Sequence, residues 1–358
     1  MGDGLLQTAV AFNKACQIVL DHGLEKRTYN KNVLNRDTYN TVRNAVPNLS
    51  SALVQTARDQ ASEMLKRGGF RKIEKKRLSV RYDKRTFKFY PESNRVSLTT
   101  VFGRLSFPFK HYAYMDRWKG EYTNAQLFIR GGKALFNVQV KIPDPPHTEG
   151  SETLGIDRGI TNIAVCSDNT FYNSKHLRAV KGRYQHNRQA LQSVDTRSAK
   201  RHLKRLSGRE RRFVRSVNHI LSKAVVAKPY DIIALEKLGI TKSKKNGKRF
   251  NRKLGSWSFH ELQTFIEYKA MELGKTVVLV NPRHTSQACS RCGYVNRGNR
   301  QGSKFKCLNC GFELNADLDA SRNIGVIGRS EYLRLKDVNQ PIVAPSGSYK
   351  PTPSGVGS

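Results

Sequence analysis

Two cysteine pairs near the C-terminus constrain this chain more than any other feature of its sequence. Cys289 and Cys292 form one C-x-x-C pair, Cys307 and Cys310 form a second, and 14 residues separate the pairs. A glycine follows each pair, which permits a tight turn that directs two thiolates to one point. Four thiolates at this spacing predict a closed tetrahedral zinc site in a structural zinc ribbon. A redox pair and an iron–sulfur site are the alternatives.

The charge balance indicates a polyanionic partner. The chain has 64 Lys and Arg residues against 28 Asp and Glu residues, so its formal net charge is 64 − 28 = +36. An ordinary metabolic enzyme does not need this excess, whose self-repulsion is relieved by binding nucleic acid. Hydrophobic residues make up 38% of the chain, which supports packed cores and excludes a disordered basic tail.

The sequence carries no signal for secretion or for a membrane span. No apolar run approaches the roughly 20 residues of a membrane helix, and residues 1–13 lack a basic segment followed by an apolar one. Basic amphipathic membrane binding, the other explanation for the charge, fits poorly with the many strand-like segments. Cys16 and Cys166 are isolated, as is typical of a reducing compartment. We therefore expect a cytoplasmic, nucleoid-associated protein.

Residues 1–71 are predicted to be helical. Apolar residues recur at helical spacing over residues 5–24, and His22-Gly23 marks the expected end of this helix. A second helix is predicted to begin at Asn48 or Ser50, both capping residue types, and to run to about Lys66. One stripe of the second helix holds Leu49, Leu53, Ala57, Ala61 and Leu65.

In residues 72–142 apolar and polar residues alternate with a period of two, which is typical of β-strands. Several such short strands predict a small β-barrel. Leu78, Val80 and Tyr82 alternate with polar residues. Two strand patterns flank Gly131-Gly132, as in a β-hairpin with a two-residue turn. A proline-rich linker at residues 143–152 ends this region.

Residues 153–326 alternate between strand and helix patterns, which predicts an α/β domain and an α+β multidomain fold for the whole chain. Strands are expected at 153–157, 163–166, 231–235 and 276–280, and helices at about 175–227, 259–273 and 320–324. Residues 327–358 are rich in Gly, Ser and Pro, which is typical of a disordered tail.

Three carboxylates lie at the ends of core elements in this α/β domain. Asp157 ends an apolar strand, Glu236 ends another, and Asp317 precedes the short predicted helix. Carboxylate oxygens suit Mg²⁺, and two such ions about 4 Å apart can activate water and stabilise the leaving oxygen in phosphodiester hydrolysis. The alternative is that each acid caps a helix or forms an ion pair. Because the chain is so basic, acids in its core favour the metal site.

Two basic runs indicate binding to phosphate backbones. Residues 178–215 hold 13 Lys or Arg against two acids, and residues 241–253 hold seven against none. A solvent-exposed helix face without a partner usually carries both positive and negative side chains. Runs that are almost entirely positive therefore indicate binding to nucleic acid. Tyr184, His202 and Phe213 are candidates for base stacking, with core packing as the alternative for Phe213. The candidate phosphate contacts are Lys200, Arg201, Lys204, Arg205, Arg211, Arg212, Lys244, Lys245, Lys248 and Arg249, with Arg297, Arg300 and Lys304 of the ribbon loop as further candidates.

Three motifs resemble those of the TnpB family, the transposon-encoded relatives of the miniature type V CRISPR effectors. They are Gly155-Ile-Asp157-Arg-Gly159-Ile, Leu235-Glu236-Lys-Leu238 and Asn315-Ala-Asp317-Leu-Asp-Ala-Ser-Arg-Asn323-Ile324. Pro282-Arg-His-Thr285-Ser286-Gln-Ala-Cys289 and Tyr268-Lys-Ala270 also match. The resemblance covers about residues 153–326 and is weaker over residues 1–142, where only the order of helices and then strands matches.

The resemblance implies an RNA-guided DNA endonuclease with one RuvC-like site on an RNase H-like fold. It implies Asp157, Glu236 and Asp317 as Mg²⁺ ligands, the four cysteines as zinc ligands, and guide RNA and double-stranded target DNA as partners. The implied domains are a helical recognition region (1–71), a wedge-like β-barrel (72–142), the linker (143–152), a RuvC-like nuclease domain (153–326) with a zinc ribbon at 285–314, and the tail (327–358).

The second predicted helix belongs to the region that, by this resemblance, contacts the target-adjacent motif. Ser51 and Gln55 lie at positions i and i+4, so they share a face. We predict that this face reads base edges, because Gln can pair bidentately with adenine in the major groove. The alternative is that the two residues form the solvent face of an amphipathic helix.

Two features depart from the family pattern. Family members usually begin with a strand before the first helix, whereas this chain begins almost at the helix, so we expect either that the barrel lacks a strand or that the start of the chain is truncated. Asp319 stands where the family more often has Asn, and its carboxylate is expected either to shift metal affinity or to face solvent.

All three of the implied metal-binding acids are present, which argues against the nuclease-dead relatives of the family. A non-cleaving RNA-guided regulator of transposition and a strand-joining transposase are the alternative functions.

Overall fold

The chain divides into two units at the proline-rich segment, residues 1–143 and residues 144–358. This computed structural model describes residues 3–71, 73–117, 119–146, 150, 152–237, 247 and 258–337. Among the helices in those ranges, none combines the length and the apolar character that crossing a membrane requires.

Three helices begin the first unit. They are α1 (Asp3–Glu25), α2 (Lys31–Ala45) and α3 (Ser51–Gly68). The predicted stripe is confirmed, because all five of its residues are fully buried; four of them lie in α3, and Leu49 precedes the helix. The Ser50 side chain caps the helix at the Leu53 amide. The apolar pattern does not predict α2, whose buried residues are only Leu34, Thr38 and Val42. Its sequence signal is the capping residue Asn30, which accepts hydrogen bonds from two backbone amides of the first turn.

Six strands of the first unit form two open antiparallel sheets, so the predicted closed barrel is wrong for the described residues. The strands are β1 (Ser79–Asp83), β2 (Phe87–Tyr90), β3 (Arg95–Thr100), β4 (Gly103–Pro108), β5 (Glu121–Arg130) and β6 (Lys133–Lys141). They pair in the orders β1-β5-β6 and β2-β3-β4. Pro91 follows β2 and Pro108 ends β4, and each lacks the N–H that a longer ladder needs. The β5–β6 hairpin is confirmed, with Gly131 and Gly132 at φ of 56° and 72°.

A five-stranded mixed sheet forms the centre of the second unit. Its strands are β7 (Thr153–Asp157), β8 (Asn162–Cys166), β9 (Phe171–Asn173), β10 (Ile232–Glu236) and β11 (Thr276–Val280), in the order β11-β10-β7-β8-β9. β10 runs parallel to both β7 and β11, whereas β8 is antiparallel to its neighbours. Four of the five strands agree with the predicted ones to within one residue, because buried strands carry nearly continuous apolar runs. β9 was not predicted.

Helices pack on both faces of this sheet. They are α4 (Lys175–Val194), α5 (Arg197–Val226), α6 (Phe259–Glu272) and α7 (Ala316–Asp337). Ile233 and Leu235 of β10 share a core with residues of α5 and α6. Ile232 and Ala234 pack instead with Ile324 of α7. Alternate residues of one strand therefore enter opposite cores, and among the described helices α7 is the one that packs with Ile232 and Ala234.

α7 extends well past the predicted helix at 320–324. Residues 327–337 continue α7, so the prediction of a disordered tail is wrong for them. The physical reason is packing, since Tyr332 is buried against side chains of β10 and β11. Residues 338–358 lie outside the described residues.

A third small sheet consists of β12 (Arg300–Gln301), β13 (Lys304–Lys306) and β14 (Glu313–Asn315). In the sequence, β12 and β13 lie between the two cysteine pairs, and β14 lies between the second pair and α7. α7 begins at the residue after β14, so the ribbon is continuous with the helix that carries Asp317.

Candidate metal centre at the strand ends

The three predicted metal ligands come from neighbouring elements. In the parallel pair of β7 and β10, Ile156 lies opposite Leu235, so Asp157 and Glu236 are the next residues at the same edge of the sheet. Asp317 lies in the first turn of α7, where the Asn315 side chain accepts hydrogen bonds from the backbone amides of Asp317 (3.0 Å) and Leu318 (3.2 Å). Parallel strand ends and a capped helix N-terminus thus bring the three carboxylates to one locality.

The carboxylates influence one another electrostatically. Burial raises the pKa of Asp157 to about 7, and the negative charges of Glu236 and Asp317 add to that rise. Burial also raises the pKa of Glu236. Arg300 opposes both shifts but does not cancel them. The negative charge of the three carboxylates is therefore not fully neutralised by the neighbouring positive side chains, and such an excess of negative charge favours the binding of a cation.

Three side chains contact the carboxylates, and the sequence did not predict these contacts. The Asn162 amide donates to Asp317 Oδ2 at 3.0 Å, and Arg300 Nη2 donates to Asp317 Oδ1 at 2.9 Å. The Thr285 hydroxyl donates to Glu236 Oε1. Arg300 comes from β12 in the ribbon, where only phosphate contact was expected. Thr285 lies in a motif that matches the family, but its pairing partner is set by the fold.

A buried arginine supports the same edge of the sheet. Arg158 follows Asp157 and is 6% exposed. Its guanidinium donates to the Glu236 carbonyl oxygen, to the Phe259 carbonyl oxygen at 3.3 Å and to Gln263 Oε1 at 3.2 Å. Burial lowers the pKa of Arg158 to about 10. Arg158 therefore ties β7 to the end of β10 and to the start of α6.

The four cysteines form a compact cluster. Cys289 Sγ lies 3.8 Å from Cys310 Sγ, and Cys292 Sγ lies 3.6 Å from Cys307 Sγ. Gly293 and Gly311, the residues after each pair, have φ of 76° and 68° and donate back to the carbonyls of the first cysteines. Among the described residues, only this tetrad brings three or more His, Cys or acidic ligand atoms within 4.8 Å of one another. The three carboxylates are thus more widely spaced than ligands gathered around one ion.

Asp319 neither faces solvent nor lies free beside the other acids. It is fully buried. Its Oδ1 accepts from the Ser290 amide at 3.0 Å and its Oδ2 from the Asn323 side chain at 3.2 Å. The expectation of a solvent-facing carboxylate is wrong, because the α7 helix turns this residue toward the first cysteine pair.

The predicted phosphate-binding residues of α5 share an exposed surface. Lys200, Arg201, Lys204, Arg205, Arg211 and Arg212 are all exposed. Lys200 pairs with Asp195 at 3.0 Å. Phe213 is half-buried against the core and contacts the His176 ring edge-to-face at 5.7 Å, which supports its packing alternative. The predicted contacts Lys244, Lys245, Lys248 and Arg249 lie outside the described residues.

Ser51 and Gln55 occupy one side of α3 in the first unit. Ser51 is exposed and Gln55 is half-buried. Gln55 Oε1 accepts from Arg85 Nη2 at 3.1 Å, and Arg85 in turn pairs with Asp83 at 2.6 Å. The carboxamide oxygen of Gln55 therefore already has a donor within the protein, and base reading by this residue stays a prediction.

Two family models match the chain. The model described as "Probable transposase" matches residues 137–247, and the model described as "Cas12f1-like, TNB domain" matches residues 259–324. The first match contains Asp157 and Glu236, and the second contains the cysteine tetrad and Asp317. Both models therefore cover the residues that form the candidate centre.

Three relatives illustrate the similarity. The CRISPR-associated endodeoxyribonuclease Cas12f1 of Sulfoacidibacillus thermotolerans is 48% identical over 81 residues, 22% of this chain and 18% of that protein. A TnpB-like protein of Methanocaldococcus jannaschii is 29% identical over 226 residues, 59% of this chain and 81% of that protein. A protein of Escherichia coli K12 named "Putative RNA-guided DNA endonuclease" is 26% identical over 236 residues, 59% of this chain and 58% of that protein.

The chain spans less than half the length of the Cas12f1 relatives that it matches, 18% of one and 46% of another. A solved structure of a Cas12f1–sgRNA–target DNA complex is similar with a TM-score of 0.62 at 16% identity, covering 89% of this chain and 82% of that chain. At this identity the similarity shows a shared mixed α/β fold.

Proposed function

We propose that this chain is a member of the TnpB family, to whose models and relatives it is similar, and that it is an RNA-guided DNA endonuclease that hydrolyses phosphodiester bonds with divalent metal ions. The observation that carries this proposal is the convergence of Asp157, Glu236 and Asp317 at one edge of the central sheet. The names of two relatives, an endodeoxyribonuclease and a putative RNA-guided DNA endonuclease, support the same chemistry.

The carboxylate locality fits Mg²⁺. Its ligands are hard oxygens, and burial together with mutual repulsion raises the pKa of Asp157 to about 7, so a cation there would relieve an unfavourable concentration of charge. When bound, two Mg²⁺ ions supply an activated water and a stabilised leaving oxygen. In this proposal Asp157, Glu236 and Asp317 hold the ions, and the wide spacing of the three acids suits a two-ion site.

The cysteine cluster fits Zn²⁺. Sulfurs about 2.3 Å from a tetrahedral zinc ion lie about 3.8 Å apart, and the measured Sγ–Sγ distances are 3.8 and 3.6 Å. Four protein ligands leave no open position for water, so this zinc would be structural. Its proposed ligands are Cys289, Cys292, Cys307 and Cys310.

The exposed basic face of α5 supports the proposed partners, a guide RNA and double-stranded target DNA. Phosphate contacts there would release counterions and make binding depend strongly on salt. By the same proposal, residues 1–71 form the recognition region, 72–142 the wedge region, 153–326 the nuclease domain and 285–314 the zinc ribbon. Association with the nucleoid follows from DNA binding and is part of this proposal.

The test is cleavage of a supercoiled plasmid that carries a guide-matched target, with the RNA that copurifies with the protein. The expected result is Mg²⁺-dependent cleavage that EDTA abolishes. Asp157→Ala is expected to abolish cleavage and to retain RNA-dependent DNA binding, because the phosphate contacts lie elsewhere. Asp168→Asn is a matched control, since Asp168 pairs with Lys228 away from the three acids. Full cleavage by Asp157→Ala would refute the assignment.

The description of one family model as a transposase supports a second candidate, strand joining. The same assay separates the two, because joining yields covalently linked products when a second DNA end is supplied. A wild-type protein that binds guided targets but neither cuts nor joins them would indicate a non-cleaving regulator.

A further inference from the structure

Glu236 receives a hydrogen bond from a side chain whose own position is strongly constrained. Thr285 is 2% exposed. Its hydroxyl donates to Glu236 Oε1 and also lies 3.1 Å from the Pro282 carbonyl oxygen. The terminal torsion of a glutamate is broad and has no staggered minimum to fix it. A donor on Oε1 therefore decides how the carboxylate plane is presented to a metal ion.

Two side chains of α7 hold the segment that carries Thr285. The Asn323 side-chain amide donates to the carbonyl oxygens of Thr285 (2.9 Å) and Ala288 (2.7 Å). Asp319 accepts from the Ser290 amide at 3.0 Å and from Asn323 at 3.2 Å. Asp319 and Asn323 are one helical turn apart, so the same face of α7 holds both ends of the segment 285–290.

This segment leads directly into the metal-binding turn of the ribbon, because Ser290 lies between Cys289 and Cys292. The ribbon also reaches the centre by a second route, since Arg300 of β12 pairs with Asp317 at 2.9 Å. Two of the three acids are thus contacted by residues whose positions depend on the ribbon. If the cysteine tetrad served only to fold the ribbon, neither the Thr285–Glu236 contact nor the Arg300–Asp317 contact would be required.

We propose that Thr285 is a positioning residue that orients the Glu236 carboxylate for divalent-metal binding, and that Asp319 and Asn323 couple it to the zinc-bound turn. The inference rests on the proposed function, because it assumes that Glu236 is a metal ligand. A zinc ion held by the tetrad would order residues 289–292. Asp319 and Asn323 would then fix the segment 285–290 relative to that turn, and Thr285 would hold Glu236 in place. Coupling between two binding sites is reciprocal in binding free energy, so occupancy of the carboxylate centre tightens zinc binding in return.

The experiment titrates Mn²⁺, a spectroscopic substitute for Mg²⁺, into the full chain without nucleic acid and measures free Mn²⁺ by electron paramagnetic resonance. Each variant's zinc content is measured with a colorimetric chelator after denaturation. Asp157→Ala defines the Mn²⁺ that binds elsewhere. Thr285→Val, which keeps the shape and removes the hydroxyl, is expected to weaken the specific binding by about 10- to 100-fold, as loss of such an orienting partner typically does.

The conservative variants separate positioning from folding. Thr285→Ser keeps the donor and is expected to restore Mn²⁺ binding to near the wild-type value. Asp319→Ala is expected to weaken Mn²⁺ binding while one zinc per chain is retained, whereas Asp319→Asn, which can still accept from the Ser290 amide, is expected to recover most of it. At equilibrium with a competing zinc-selective chelator, the wild type is expected to retain more zinc when Mn²⁺ is present than when it is absent.

Two outcomes would overturn the inference in distinguishable ways. If the wild type and Asp157→Ala bind Mn²⁺ equally, the carboxylate centre itself is wrong and the inference falls with it. If Asp157→Ala loses binding but zinc-loaded Thr285→Val binds Mn²⁺ as tightly as the wild type, the proposed function stands and only the positioning role fails.

Discussion

Replacing Gly155 with alanine is expected to slow cleavage by about 100-fold by displacing a helix, without substituting any proposed metal ligand. Gly155 lies in β7, two residues before Asp157, and its Cα faces the backbone of α7. A Cβ at this position would lie 2.0 Å from the Ser321 carbonyl oxygen, 2.3 Å from the Gly325 nitrogen and 2.7 Å from the Gly325 Cα. All three atoms belong to backbone, so no side-chain rotation can relieve the overlap.

The displacement follows from these distances. A carbon and a carbonyl oxygen approach to about 3.3 Å at closest, so α7 must move by about 1.3 Å at Ser321. Asp317 lies one turn earlier on the same helix and moves with it. Misplacing a reacting group by about 1 Å costs about 100-fold in rate. Overpacking of a core commonly costs 1–3 kcal/mol, and a backbone overlap belongs near the upper end, about 3 kcal/mol.

The assay pairs urea unfolding with single-turnover plasmid cleavage at saturating Mg²⁺. Gly325→Ala is the matched control on the opposite side of the same contact, where a Cβ comes no closer than 3.3 Å. Replacing a glycine inside a helix with alanine stabilises the helix by about 1 kcal/mol, and this gain offsets the steric cost of the tight contact. The free energy of unfolding and the cleavage rate of Gly325→Ala should therefore remain near the wild-type values. The reasoning is refuted if Gly155→Ala unfolds at the wild-type urea concentration and cleaves at the wild-type rate.

Three further outcomes are expected. Cys307→Ser should lower the zinc content below one per chain and destabilise the ribbon, as metal analysis and limited proteolysis would detect; full zinc occupancy would contradict the four-thiolate site. The double variant Arg201→Gln/Arg205→Gln should reduce the slope of log binding constant against log salt by about two, and an unchanged slope would exclude these phosphate contacts. Burial raises the pKa of Asp168, but the hydrogen bonds from Lys228 and Thr170 outweigh it and hold the pKa below its usual value. The free energy of unfolding that Asp168→Asn loses relative to the wild type should therefore be largest above about pH 4 and should vanish as the pH falls through the folded-state pKa of Asp168. Urea unfolding over this pH range checks this, and a loss that grows as the pH falls would contradict it.

The sequence by itself determined those features that depend on short-range patterns. The strands β7, β10 and β11 follow from apolar runs, and the β5–β6 hairpin follows from Gly131-Gly132, because only glycine adopts two successive positive φ angles readily. The cysteine tetrad was identified by its spacing, since two thiolates three residues apart reach one point from a single turn. The places of Asp157, Glu236 and Asp317 at the ends of elements were also readable from the sequence, and their role as metal ligands stays a prediction.

Only the tertiary structure decided how distant segments meet. Thr285 lies 49 residues from Glu236, and Arg300 lies 17 residues from Asp317; no local pattern encodes either contact. α2 was not predicted because three buried residues leave too weak a period, and its stability comes from packing against α1 and α3. The strands of the first unit form two sheets, not a barrel, because closure depends on pairing between strand edges that alternation does not specify. Asp319 shows the same limit: its sequence position allows a metal ligand or a solvent-facing acid, and the packing of α7 buries it against the cysteine turn instead.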